Sequence, residues 1–354
     1  MRTDRLFIAG LGTRVPELFP VAEAVRQGLY DARTAEADGW RSVAVAGSEP
    51  APELAARAGA LALRRSGVAA ADIALLIHAG TYHQGPDLWY APQYLQRRLL
   101  PASTVPAFAL HQGCTGILDA VQLAHGYLTA HGGAGAALVT GADNYGTPLF
   151  DRWTYAAGWR TGRGSVLGDA GSAVVLSAHT GPLRVRAVAS SSLPGWEELY
   201  RGDERLHPPG ATAGTPLALG SRMAAYAARH PGAAERVAAD LARARTALAR
   251  QVLDEAGVKA SDVTRVTHVF TGHPRYLRTL LDPLGIDPAR GLLELGRTLG
   301  HLGVNDQLVG LAHLLETDAV GPGDHILMMG NGVGISLACA LVEVIARPGW
   351  KPNT

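Results

Sequence analysis

Cysteine is nearly absent. Only Cys114 and Cys339 carry a thiol in 354 residues. Two thiols so far apart in the chain give neither a disulfide framework nor a zinc-ligand spacing, and no metal site is expected. Blocks of Lys or Arg are missing too, and the formal net charge is only +1. That balance argues against nucleic acid or an anionic membrane as the main partner. No apolar run reaches the roughly 18 residues of a membrane span. The opening MRTDRLFIAGLGTRVPE lacks a signal-peptide pattern and goes straight into a strand and a Gly-rich turn. A cytoplasmic protein in a reducing compartment is expected. What the chain does hold is 47% apolar residues and 43 glycines, enough for a substantial core and many tight turns.

The chain repeats itself. PELAARAGALALRR followed by SGVAAADIALLIHAGTY (66–82) is echoed about 190 residues later by RVAADLARARTALARQVLDE and AGVKASDVTRVTHVFTG (256–272). Each is a helix, a Gly-Val turn, an Asp and an apolar strand with a histidine, His78 or His268. A second echo has nearly the same offset: QLAHGYLTAHGGAGAALVTGADNYG (122–146) and GLAHLLETDAVGPGDHILMMGNGVG (310–334). Matching order and spacing predict a duplicated α/β fold of alternating strands and helices, with halves 1–178 and 179–354. The Pro/Gly-rich stretch 195–236 interrupts the pattern. It is too long for an ordinary connection and is expected to cover a pocket.

Cys114 sits in ALHQGCTGILDAVQLAHGYL (109–128), where a strand-like segment gives way to a helix apolar nearly all round. A helix N-terminus favours an anion, so the turn favours the thiolate. Small neighbours admit a substrate carbonyl, and the Cys114 amide can donate to an oxyanion. Cys339, in the continuous apolar ISLACALVEV, reads as core. A nucleophilic thiolate needs a base. His273, in FTGHPRYL just past a predicted strand end, is the best-placed histidine by local pattern. Asp306 opens the helix that repeats the Cys114 helix. Two equivalent helix starts would converge on one centre, bringing Asp306 or His301 towards Cys114. There Asp306 could orient His273 as the third member of a triad.

These residues carry a resemblance that covers nearly the whole chain. GLGTRVPE, LAARAGALALRRSGVAAADIALLIHAGT, HQGCTG, GRGSVLGDAGSAVVLS and GNGVGISLACALVEV resemble successive motifs of the ketosynthase III group of the thiolase fold. The resemblance implies two pseudo-symmetric halves in a five-layered αβαβα architecture. It also makes the glycines at Gly10 and Gly12 part of an opening turn, not a dinucleotide fingerprint. Condensing members have His in H-x-x-N and then Gly-Asn. Here the segments read His273-Pro-Arg-Tyr276 and Gly300-His301, with Asn305-Asp306 beyond.

A Cys-His-Asp set resembles the acyltransferase branch of that family. It implies catalysis by Cys114, His273 and Asp306 through an acyl-enzyme. The acyl group would pass from carrier-protein phosphopantetheine or coenzyme A to a hydroxyl or amine of a sugar- or aminocyclitol-like acceptor in natural-product biosynthesis. No bound cofactor is implied. Decarboxylative condensation with a malonyl carrier protein is the alternative, with Asn305 as a candidate for the condensing role. The resemblance further implies an oxyanion hole from the Cys114 and Asn331 amides, His301 and Asn305 close to the centre, and carrier docking at Arg278 and Arg275. Trp89, Tyr90, Trp153, Tyr155 and Trp159 are candidates to line a pocket. A homodimer is expected, because the loop TYHQGPDLWYAPQYLQ (81–96) is apolar and aromatic.

Overall fold

The computed structural model describes residues 1–3, 5–156, 166–210 and 214–350. Strands in chain order are β1 (Phe7–Arg14), β2 (Leu18–Pro20), β3 (Ser42–Ala44), β4 (Ile73–Ala79), β5 (Ala107–Leu110) and β6 (Ala136–Asp143). They continue with β7 (Ala170–Ser177), β8 (Leu183–Ser192), β9 (Val263–Thr267), β10 (His325–Gly332) and β11 (Ser336–Val344). The helices begin with α1 (Val21–Arg26), α2 (Ala32–Asp38), α3 (Ala51–Ser66), α4 (Ala91–Leu99), α5 (Gly116–Ala130) and α6 (Glu197–Arg201). After these come α7 (Leu219–Arg229), α8 (Ala233–Ala256), α9 (Pro274–Leu281), α10 (Leu293–Leu299) and α11 (Asp306–Glu316).

Nine strands join in the order β5-β4-β6-β7-β1-β8-β11-β10-β9. Pairing from β4 to β1 is parallel, antiparallel, antiparallel, and pairing from β9 to β8 follows the same sequence. The two halves meet at β1 and β8 through only two register pairs, Phe7 with Arg184 and Ile8 with Leu183. The repeat read from the sequence is thus a repeat of topology.

Side chains alternate across each strand, and the alternation builds the layers. Leu75, Ile77, Val139, Val174, Ile326, Met328 and Ala340 point into one core with Ile117, Val121 and Leu128 of α5 and Leu308 and Leu311 of α11. Leu76, Leu138 and Val175 point the other way, onto Leu54, Ala58 and Ala62 of α3. In the second half Leu327, Met329, Cys339 and Leu341 face Leu248, Val252 and Leu253 of α8. The result is five layers, αβαβα, with α5 and α11 between the strands of the two halves. That position explains their apolar composition.

Gly10 and Gly12 lie inside β1, not in a turn as expected. Carbonyl oxygens of Ala62 and Ala58 on α3 sit 2.1 and 2.2 Å from where their Cβ atoms would be, so the glycines serve close helix–strand packing. The insertion carries α6 and α7, whose Leu199, Met223 and Tyr226 pack against Ile335 beyond β10, with Tyr155 alongside. The sheet ends in two edge strands, β5 and β9. At β9, Arg290 donates to the carbonyls of Ser261 and Val263. At β5, no described strand pairs with the outer edge, and Phe108 is 55% exposed.

Candidate active site

Cys114 occupies a single 3-10 turn, Gly113–Thr115, that leads into α5. Gly113 has φ +56°, and a Cβ there would lie 2.8 Å from the Val333 side chain. Position 113 therefore needs glycine both for its left-handed backbone and for space. The mirror-image start of α11 is another 3-10 turn, Gly303–Asn305, so both central helices begin the same way.

His301 stands between these two starts. Gly300 ends α10 with φ +76°, and His301 then forms a short bridge with Leu167. The His301 amide donates to Val166 O at 2.8 Å, and the Gly168 amide donates to His301 O at 2.8 Å. Val166 and Gly168, 135 and 133 residues earlier in the chain, therefore hold the histidine backbone. His301 Nε2 lies 3.0 Å from Cys114 Sγ, and Nδ1 lies 2.6 Å from Asp306 Oδ2. Asp306 also accepts the Phe270 amide at 3.0 Å and the Leu302 amide at 2.8 Å. All three side chains are buried.

The electrostatics follow from that chain of contacts. Burial alone would depress the imidazole. The Cys114 thiolate and the Asp306 carboxylate, with hydrogen bonds to both, outweigh it and hold His301 well above its ordinary pKa. Nδ1–H donates to Asp306, which leaves Nε2 to exchange a proton with sulfur. Cys339 is the contrast: it lies in β11, and burial pushes its thiol up.

His273 is not part of this cluster. It caps α9, with its Nδ1 accepting the Arg275 amide at 3.0 Å. The histidine that meets the thiol is His301, not His273 as expected. A histidine past a strand end can cap the next helix, and here that local bond turns it away. Sequence did carry a signal for His301, namely Gly300-His301 at the family's Gly-Asn position with Asp306 five residues on.

Asn305 is fully buried and committed to the scaffold. Its Oδ1 accepts from Ser172 at 2.7 Å, and its Nδ2 donates to Ala170 O and Leu302 O at 3.2 and 2.9 Å. The end of β10 runs beside the nucleophile, since a Cβ on Gly332 would lie 3.3 Å from the Cys114 amide nitrogen. Asn331 belongs to this segment, and its buried Oδ1 accepts no protein hydrogen bond. Arg275 and Arg278 are exposed on α9.

The aromatic candidates scatter. Tyr155 packs against the cluster of Leu199, Met223, Tyr226 and Ile335. Trp89 lines a separate pocket of about 540 Å³ with Tyr82 and Tyr94, while Tyr90 is exposed. Trp153 packs with Phe19 and Tyr30 in a small cluster over α1 and α2, a packing role in place of the pocket expected. Trp159 lies outside the described residues.

A solved structure described as the acyltransferase ChlB3 superposes with a TM-score of 0.89 at 39% identity, covering 98% of this chain and 100% of that one. The chain belongs to the ketosynthase III-like family of the thiolase fold. The family model for the C-terminal part of 3-oxoacyl-[acyl-carrier-protein] synthase III matches residues 253–344. The 3-oxoacyl-[acyl-carrier-protein] synthase III of Aquifex aeolicus VF5 has the same fold, with TM-score 0.75, 21% identity, and 96% and 99% of the two chains covered. FabH from Pseudomonas aeruginosa PAO1 gives TM-score 0.75, 21% identity, and 97% and 99% coverage. No curated protein matches the chain. No helix among the described residues is long and apolar enough to cross a membrane, and no described group of His, Cys, Asp and Glu could hold a metal ion.

Proposed function

We propose that this ketosynthase III-like protein is an acyltransferase that carries its acyl group on Cys114. The observation that carries the reading is the unbroken hydrogen-bonded line from Cys114 Sγ through His301 to Asp306. The Cys114 thiolate attacks the thioester carbonyl of an acyl carrier protein or coenzyme A. The C–S bond to the donor breaks, and the departing thiolate takes the His301 proton. Neutral His301 then removes a proton from a hydroxyl or amine of a small-molecule acceptor as that oxygen or nitrogen attacks the acyl carbon. Cys114 leaves as the thiolate beside a protonated His301, which Asp306 steadies. The Cys114 amide, with a β10 amide at Asn331, is proposed to receive the oxyanion.

Decarboxylative condensation needs neutral donors around a developing enolate. The buried Asp306 carboxylate would oppose that charge, and Asn305 has its amide protons committed elsewhere. The 39%-identical relative described as an acyltransferase supports the same choice. The physiological setting proposed is natural-product assembly in the cytoplasm. For carrier docking, exposed Arg275 and Arg278 suit an acidic partner, and Arg278 borders a groove of about 620 Å³.

Incubation with simple, aromatic and malonyl thioesters should add an acyl mass to the native protein and none to Cys114→Ala. With an amine or sugar acceptor, ester or amide should form without CO₂. Release of CO₂ coupled to a new carbon–carbon bond would overturn transfer in favour of condensation. We also propose a homodimer, supported by the unpaired β5 edge and by Leu88, 90% exposed in the 81–96 loop. Light scattering at micromolar concentration should report twice the chain mass, and a monomer would refute this.

A further inference from the structure

Asp143, the last residue of β6, is completely buried. Its Oδ1 accepts the Thr81 amide at 2.8 Å; its Oδ2 accepts the Thr81 hydroxyl at 2.8 Å and the Val304 amide at 3.1 Å. The Tyr145 phenol oxygen lies 3.0 Å from the Thr81 hydroxyl. Val304 lies in the turn between His301 and Asp306. At Gly303, φ +62°, a Cβ would come within 2.1 Å of Asp143 Oδ2 and 2.3 Å of the Tyr145 oxygen. The turn is seated against this carboxylate. Burial raises the Asp143 carboxyl to about 6, although the Thr81 and Val304 amides pull the other way.

The placement has a consequence for the active pair. Cys114 belongs to the first half of the chain, while His301 and Asp306 belong to the second. Asp143 sits on β6, against which α5 packs, and it reaches across to the second half's turn. It is therefore a polar link between the two elements whose separation sets the sulfur–imidazole contact. We propose that Asp143 is a positioning residue that fixes the Cys114–His301 pair by holding the 303–305 turn, and that Thr81 ties the following loop into the same lock. The proposal rests on reading Cys114, His301 and Asp306 as the transfer machinery. An error of about 1 Å in such a pair costs roughly a hundredfold in rate.

Asp143→Asn keeps the shape but sets an amide N–H₂ against the Val304 or Thr81 donors. It is expected to lower kcat for transfer by about 10- to 100-fold with KM changed less than about threefold. Alkylation of Cys114 by iodoacetamide, located by peptide mass mapping, should shift to higher pH by about one unit as the imidazolium is drawn away. Thr81→Val removes one donor and should move both readouts the same way by less. An unmoved alkylation profile in Asp143→Asn overturns the proposal, even if the protein melts lower. Should that variant not fold, an unmoved profile in Thr81→Val overturns it. Alkylation needs no acyl donor, so the two readings fail separately. A shifted profile in a protein that no thioester acylates supports positioning and sinks the transfer reading.

Discussion

Replacing His301 by alanine should lower acyl transfer by about three to four orders of magnitude, whereas His273→Ala should leave it within a few-fold. The reason is geometric. His301 is the histidine that touches sulfur, at 3.0 Å, and it alone joins that sulfur to a buried carboxylate. Losing it removes the base for the acceptor and the cation that holds the thiolate. His273 spends its ring nitrogen on capping α9, so its loss should cost about 0.5–2 kcal/mol of stability, as caps do. Single-turnover transfer rates beside thermal melts separate the two. A severe rate loss in His273→Ala with His301→Ala active would reverse the assignment.

Asp306→Asn should cut turnover by about two to four orders of magnitude. Asp306 fixes the Nδ1–H tautomer of His301 and also accepts the Phe270 and Leu302 amides. An asparagine retains one acceptor oxygen but can present N–H₂ to the imidazole, favouring the wrong tautomer. The variant also predicts a pH signature. His301 is held above its ordinary value in the folded state. Its pairing stabilises the fold fully below the unfolded pKa of about 6.5, and that contribution fades as pH rises through the elevated folded value. The melting-temperature gap between wild type and Asp306→Asn should therefore be widest near or below neutrality and narrow in alkali. Equal transfer rates would remove Asp306 from the mechanism; a gap that does not narrow in alkali would contradict the charge pairing.

The duplication was legible because both copies must bury the same faces, and burial writes itself into local patterns of apolar residues. Cys114 and Asp306 were legible for a related reason, since each stands at the start of a central helix. The histidine was harder. His273 lies where a strand gives way to a loop, which local pattern favours, whereas His301 is positioned by a bridge to Leu167. No window of sequence displays a contact of that range. Gly10 and Gly12 show the same limit: two nearby glycines suggest a turn, and only the arrival of α3 reveals that they lie in a strand.

The sheet ends in two edge strands, β5 and β9, and the two are furnished differently. At β9, Arg290 takes the carbonyls of Ser261 and Val263, and at β5, Phe108 stands 55% exposed. Two chains joined β5 to β5 about a twofold axis would use up that edge on both and leave β9 outermost in each. In such a pair any further strand addition would have to begin at β9, where an arginine already takes the first carbonyl of the strand.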